Sequence, residues 1–374
     1  MGRLACPSTM APVTVAFDVG PLIGARTGIG VAVAHLREAL ERRSDVQLAP
    51  YLTSYRARDE AGTTRLPLPA AVAHRLWSRM GHPQVDRWLT PADVIHGTNY
   101  VVPPSQLPRL VSVYDCWFLR QPDLAHPDVR RAGKVLRRAV EHGAVVHASS
   151  NATAAAVRTF MPTADVRVVH LAPVPLPPPA DTPPIADLVD RRFVVAIGTL
   201  ERRKNLPTLI AAFARLAGDH DDVLLVLAGN YGDDRAAIDA AISAAGPDLA
   251  NRILLTGRIE EPARSWLLHH ADVLAYPSLD EGFGFPLLDA MQAGVPIVAS
   301  DAGSIPEVAG PAALLASATD VAAIADALAT ALSDESRRAD LVAAGRQQLA
   351  TFSWDAAAEE MAAIYHELAR GTNG

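Results

Sequence analysis

Cysteine is nearly absent. Cys6 and Cys116 are the two in 374 residues, too few for a disulfide framework and without metal-ligand spacing. That scarcity favours a reducing compartment and an expectation of cytoplasmic residence. No apolar run reaches the roughly 18 residues of a membrane span. The opening MGRLACPST lacks the apolar stretch of a secretory signal, and folding is expected to begin near residue 12. A positive excess is missing as well. The net charge of -7 excludes a general attraction to nucleic acid, so any anion site has to be local. Two nucleotide signatures are also absent. There is no Walker loop, and in GARTGIGVAVAHL Val33 occupies the position where a dinucleotide fingerprint needs Gly or Ala. Gly24, Gly28 and Gly30 remain as a flexible turn opening a helix.

Apolar residues are plentiful at 49%, with 20% charged, a composition that builds cores. The length exceeds one core and predicts two domains. From Val13 short β-branched runs alternate with helical patterns. Strands are expected at Val13–Asp18, Val94–Gly97, Leu110–Asp115, Val145–Ser149 and Val166–His170. After the proline-rich stretch 173–190, read as a connector because proline favours extended backbone, the alternation restarts. Strands are expected there at Phe193–Thr199, Val223–Gly229, Ile253–Gly257, Val273–Ser278, Ile297–Ser300 and Ala312–Ala316. The pattern is α/β, two doubly wound parallel sheets binding ligands beyond the carboxyl ends of their strands.

Two segments carry the chemistry. In PSLDEGFGFPLLDAMQAG a strand ends at Pro277, a glycine turn follows and Pro286 suits a helix start. Gly282 and Gly284 let backbone approach a ligand, and the helix N-terminus behind them offers N–H groups to a phosphate. Glu281 and Asp289 would repel that phosphate, so sugar hydroxyls are their natural targets. In GTLERRKNLPTLIAAF, starting at Gly198, the cations Arg202, Arg203 and Lys204 precede a helix that Asn205 is expected to cap. Cations at a helix N-terminus oppose its dipole, a conflict that an intervening polyanion resolves. Asp219-His220-Asp221 reads as a solvated turn, Ser304-x-x-Glu307 as a capping box, and His269 and His270 as helix-surface residues. Arg130, Arg131, Lys134, Arg137 and Arg138 recur at helical spacing as a basic stripe: a solvated face, or a peripheral contact with anionic lipid or a phosphorylated carrier.

YPSLDEGFGFPLLDAMQAGVPIVASDAGSIPEVA, AIGTLERRKNLPTLIAAFARL and LLTGRIEEPARSWLLHHADV together resemble the retaining glycosyltransferases of family GT4. RTGIGVAVAHL, VIHGTNYVVPP and VSVYDCWFLRQPDLAHP are similar to its bacterial mannosyltransferase-like branch. The resemblance implies the GT-B fold, two Rossmann-like domains facing a deep cleft. Residues 12–172 with a returning 354–374 helix would bind acceptor, 173–190 would link, and 191–353 would bind nucleotide sugar. The family's E-x7-E motif falls on Glu281, which would bind donor sugar hydroxyls, and on Asp289, one carbon shorter than the family's ribose-binding Glu. Arg203 and Lys204 match the pair that neutralises the diphosphate, leaving Arg202 peripheral. Backbone amides of Gly282, Phe283, Gly284 and Phe285 would meet phosphate and sugar, with Gly198 nearby and Arg258 beside the base. Where many relatives carry His-Asp, this chain has Tyr114-Asp115, so only Asp115 transfers as a catalytic candidate. His96 and Asn99 become candidates for acceptor contact, with strand-end capping as the other reading of His96.

The implied function is metal-independent, retaining hexosyl transfer. The co-substrate would be a GDP-sugar, with GDP-mannose favoured and a UDP-sugar as the other choice. The acceptor would be a glycan, a lipid-linked carrier or a small molecule. The alternatives are a nucleotide-sugar epimerase of the same fold and a non-catalytic nucleotide-sugar-binding subunit.

Overall fold

The computed structural model describes residues 11–24, 27–54 and 62–371; Cys6 lies outside them. The chain divides into two compact units, Met1–Ala172 with Ser353–Gly374, and Pro173–Phe352.

The first unit is built on β1 (Val13–Asp18), β2 (Val46–Leu52), β3 (Thr64–Arg65), β4 (Val94–Gly97), β5 (Arg109–Val113), β6 (Val145–Ala148) and β7 (Val166–Val168). Their spatial order is β3-β2-β1-β4-β5-β6-β7, every pairing parallel. A sheet covered on both faces needs near-continuous apolar strands, and Ile95, Val111, Val113 and Val146 supply them. They pack with Trp77 of helix Ala70–Met80 and Leu136 of helix Pro127–Glu141 in one core. The closing helix Trp354–Gly371 packs on helix Gly28–Glu41 and on β1. Trp354 stacks on His35 with ring centroids 5.5 Å apart, and Glu367 pairs with Arg167 at 2.8 Å.

The second unit holds β8 (Arg192–Ile197), β9 (Val223–Ala228), β10 (Ile253–Gly257), β11 (Val273–Tyr276), β12 (Ile297–Ser300) and β13 (Ala313–Ala316). Their order is β10-β9-β8-β11-β12-β13, again all parallel. Val194, Leu225, Leu227 and Val273 build its core with Leu209 and Phe213 of helix Leu206–Leu216.

Two strands escape the sequence pattern. β2 contains Pro50, which demotes a run to an edge or a loop. It is tolerated because β3 pairs only with Tyr51 and Leu52 beyond it. The proline-rich stretch is more than a connector. Val174 O accepts from Gln292 Nε2 at 2.9 Å, Pro177 O from Ser265 Oγ at 2.7 Å, and Ala180 N donates to Pro262 O at 2.9 Å. It is a strap held on helices Glu261–His270 and Phe285–Ala293 of the second unit.

Candidate donor site

In a doubly wound sheet the ligand crevice opens where strand order reverses, beyond the carboxyl ends. In the second unit that point lies between β8 and β11. The loops leaving those two strands carry Gly198–Asn205 and Pro277–Gly284, so the topology itself juxtaposes the two segments.

Glu281 is 6% exposed. Its Oε1 accepts from Lys204 Nζ at 2.7 Å and its Oε2 from an Arg203 guanidinium nitrogen. Burial alone would raise its pKa. The adjacent Lys204 and Arg203 charges and the Lys204 hydrogen bond outweigh that and hold it at about 2. Arg203 also reaches Glu201 at 2.7 Å, while Lys204 Nζ donates to Tyr276 Oη at 3.1 Å and lies 4.7 Å from that ring's centroid. Two cations therefore face two carboxylates. The expected conflict with the helix dipole is resolved here by Glu281. The three cations form their own 3-10 turn, Arg202–Lys204. Arg202 is exposed and its amide donates to Asp233.

Asn205 does not cap the following helix through its side chain. In the left-handed region at φ 57°, it donates through Nδ2 to Pro277 O at 3.1 Å and Ala318 O at 2.7 Å. It ties the β8 loop to the β11 loop instead. Gly284, at φ 99°, is the N-cap of helix Phe285–Ala293 without a side-chain cap, so the helix's first N–H groups have no side-chain oxygen on them. Phe283 packs edge-on against Phe285 and Phe352, fixing the Gly282–Phe285 turn.

The sequence reading missed Gly303 and misread Ser304. A Cβ on Gly303 would lie 2.6 Å from both Glu281 N and Glu281 O, and its φ is 57°. Ser304 N donates to Glu281 O at 3.1 Å and Ser304 Oγ to Phe283 O at 3.0 Å. The hydroxyl makes no helix cap, so the expected capping box is absent. The loop after β12 is a backbone brace under Glu281. Its one sequence signal was a glycine three residues after β12.

Asp289 is 5% exposed and paired with Arg264, which also holds Glu261 at 2.8 Å. Burial raises its pKa to about 6, with Arg264 opposing. Its carboxylate is thus engaged away from the Glu281 cluster. Arg258 is exposed and lies 3.7 Å from Glu260. Gly198, at φ 146°, has Lys204 Cε 3.1 Å from where a Cβ would stand, which lets the lysine fold over β8.

In the first unit the sheet reverses order between β1 and β4. Thr27 caps helix Gly28–Glu41, its Oγ1 accepting from Gly30 N at 3.4 Å, so Gly28 and Gly30 form the helix's first turn. Asn99 Oδ1 is buried without a partner. Asp115 Oδ1 accepts from Trp117 N at 3.1 Å, and its amide donates to Tyr100 Oη at 3.2 Å.

His96 has to be corrected. Fully buried inside β4, it neither caps a strand end nor is open to an acceptor. Its Nδ1 is 2.6 Å from Tyr365 Oη, its Nε2 is 2.8 Å from Ser112 Oγ, and Ser112 Oγ is 2.8 Å from His147 Nδ1. His147 Nε2 must donate to Val169 O at 3.1 Å. Each proton follows from that end: Ser112 donates to His147, His96 to Ser112, and Tyr365 to His96. A carboxylate missed in the sequence stands nearby at the end of β1. Burial lifts the Asp18 pKa to about 7 against the Gly20 amide it accepts from.

Among the described residues no group of three His, Cys, Asp or Glu side chains is placed to hold a metal ion. No helix there is long and apolar enough to cross a membrane.

The model of the glycosyl transferases group 1 family matches residues 183–348, which hold every residue of the donor cluster. The O-antigen chain mannosyltransferase B of Escherichia coli is 30% identical over 291 residues, 74% of this chain and 76% of that protein. The chain belongs to the group 1 glycosyl transferases. A phosphatidyl-myo-inositol mannosyltransferase of Mycobacterium leprae is 33% identical over 172 residues, 45% of this chain and 44% of that protein. The sucrose-phosphate synthase structure from Thermosynechococcus elongatus superposes with a TM-score of 0.71 at 20% identity. It covers 95% of this chain and 99% of that one. This group 1 glycosyl transferase thus has the GT-B fold, with two Rossmann-like parallel-sheet units.

Proposed function

We propose that this protein moves a hexosyl group, mannose by preference, from a nucleoside-diphosphate sugar to an acceptor hydroxyl with retention of anomeric configuration. The observation carrying this reading is the ionised Glu281 clasped by Lys204 and Arg203 at the strand-order reversal of the second unit. A donor diphosphate suits the two cations and the open helix start at Phe285. As they turn to it, the Glu281 oxygens are released to accept from sugar hydroxyls. The anomeric C–O bond to the diphosphate breaks, the acceptor oxygen bonds to that carbon from the same face, and a diphosphate oxygen takes the acceptor proton. Lys204, Arg203 and the helix N-terminus stabilise the growing diphosphate charge, without a metal ion. The preference for mannose follows the mannosyltransferases among its relatives and points to GDP-mannose ahead of UDP-hexoses.

The test is transfer from GDP-mannose and UDP-hexoses, with and without chelator, and the product's anomeric configuration read by NMR. Glu281→Gln, which keeps shape and removes charge, is expected to lower kcat on the order of a hundredfold with the far-UV circular dichroism unchanged. Near-normal kinetics in that variant, or activity abolished by chelator, counts against the scheme. Nucleotide released with an epimerised free sugar would indicate the epimerase instead.

A peripheral contact with anionic lipid is a second proposal. Arg130, Arg131 and Lys134 share a groove with Arg75 and Arg79 of helix Ala70–Met80. Arg137 is instead bonded to Phe160 O. Vesicles containing phosphatidylglycerol should sediment the protein, and a Lys134→Glu/Arg130→Glu variant less; equal sedimentation refutes the contact.

A further inference from the structure

Away from the donor site, the first unit has a place where two arginines stand without an ion-pair partner among the described residues. Helices Ala70–Met80 and Pro127–Glu141 both end beside the start of β5, around a cavity of about 380 Å³ lined by Arg109, Arg138, Gln84, Ser105, His82 and His142. This is the amino end of the strands, opposite the carboxyl ends where Asp115 and Asn99 stand. Arg138 Nε is buried with no hydrogen-bond partner, and its guanidinium lies over Gly81, 3.1 Å from where a Cβ would be. Arg109 donates to His142 O. Neither arginine has an ion-pair partner among the described residues.

Two ordinary explanations fall short. Helix C-termini attract cations, but two ends supply only about one negative charge between them against two guanidiniums. Asp86, the carboxylate whose charge acts on Arg109, accepts from Ser105 Oγ at 2.6 Å and from Gln106 N at 2.8 Å, and it only partly offsets the burial that pushes Arg109 below its ordinary pKa. What remains is a buried guanidinium N–H that no protein group uses, in a pocket of small-molecule size. Val102, Val135 and Trp77 line its apolar side.

We propose that this cavity binds a phosphomonoester or phosphodiester bearing a small organic body, its phosphoryl oxygens on Arg138 and Arg109. A planar guanidinium with a free Nε–H matches phosphoryl oxygens two at a time. Bare inorganic phosphate would leave much of the cavity unfilled, so an ester binds more tightly than the inorganic ion. The ester is either a free metabolite or the head group of a phospholipid.

Calorimetric titration of the full chain with glycerol 3-phosphate and with inorganic phosphate tests it. Saturable binding of glycerol 3-phosphate is expected, about tenfold weaker in Arg138→Gln for one lost charge-assisted contact. It should also weaken in Gln84→Glu, which places a carboxylate at the rim and keeps Arg138. Lys204→Gln, altered in the donor site, should bind as wild type does. No saturable binding, or binding lost in Lys204→Gln and kept in Arg138→Gln and Gln84→Glu, overturns the proposal. Sedimentation with vesicles of phosphatidylglycerol and phosphatidylcholine separates the sources. Dependence on Arg138 identifies a head group, and Arg138-independent sedimentation beside intact ester binding identifies a free metabolite. Because the donor site is read out separately, failure here leaves the transferase assignment standing.

Discussion

The buried chain from Tyr365 through His96, Ser112 and His147 to Val169 works only while both imidazoles are neutral, because each ring has one nitrogen donating and the other accepting. Burial pushes His147 down from 6.5 to about 4, with the Val169 carbonyl opposing and His170 adding to the shift. His96 is lowered as well, by burial first. Between the two values for His147 the unfolded chain takes up a proton that the folded chain refuses, so stability falls as pH falls from 6.5 to 4. The loss is about 3 kcal/mol. Asp18 and Asp289, raised to about 7 and about 6, act in the opposite direction over much of that range. The clean measurement is therefore a difference: urea unfolding of wild type against His147→Asn across that window. The wild-type advantage should shrink by about 3 kcal/mol toward pH 4, and a pH-independent gap would refute the assignment. None of this was legible in VIHG or VVHAS, since whether a histidine in a strand meets water is decided by the covering helices. Arg203 and Lys204 were legible because cations before a helix start break the dipole rule, and Glu281 because it stands at a glycine turn before a helix in a motif resembling the family's.

At the scale of elements, periodicity served where residues are locally sufficient. Strands such as β4, β10 and β12 appear with the expected limits. The failures, β2 with Pro50, two-residue β3 and the proline strap, have a common cause. Each is held by backbone groups whose partners lie far along the chain. The brace under Glu281 is the same kind of feature, and it can be tested. Gly303→Ala puts a methyl 2.6 Å from two Glu281 backbone atoms and forces an alanine to a positive φ, a strain of about 1–2 kcal/mol before any clash. We expect lower thermal stability and transfer reduced at least as much as in Glu281→Gln, because the turn moves as a whole. Wild-type melting and kinetics would show the brace to be dispensable.

For the whole molecule, each unit owns a core, and the first one recruits its last helix from the far end of the chain. Tyr365 closes the buried proton chain, and Met361 and Ala362 are fully covered. A chain ending at Phe352 should therefore lose the cooperative unfolding of the first unit while residues 173–352 keep theirs, seen as one retained and one missing transition in calorimetry. Two intact transitions would show the helix to be an accessory. The clasp in the second unit has a consequence for life in a crowded cell. Lys204 and Arg203, facing Glu281 and Glu201, present almost no net charge to a passing anion. Abundant inorganic phosphate gains little by competing there, since it brings no sugar hydroxyls to occupy the carboxylate it must displace. On the proposed reading a nucleoside-diphosphate sugar satisfies both halves of the clasp, so resistance to inorganic anions would come from the resting enzyme's own ion pairs.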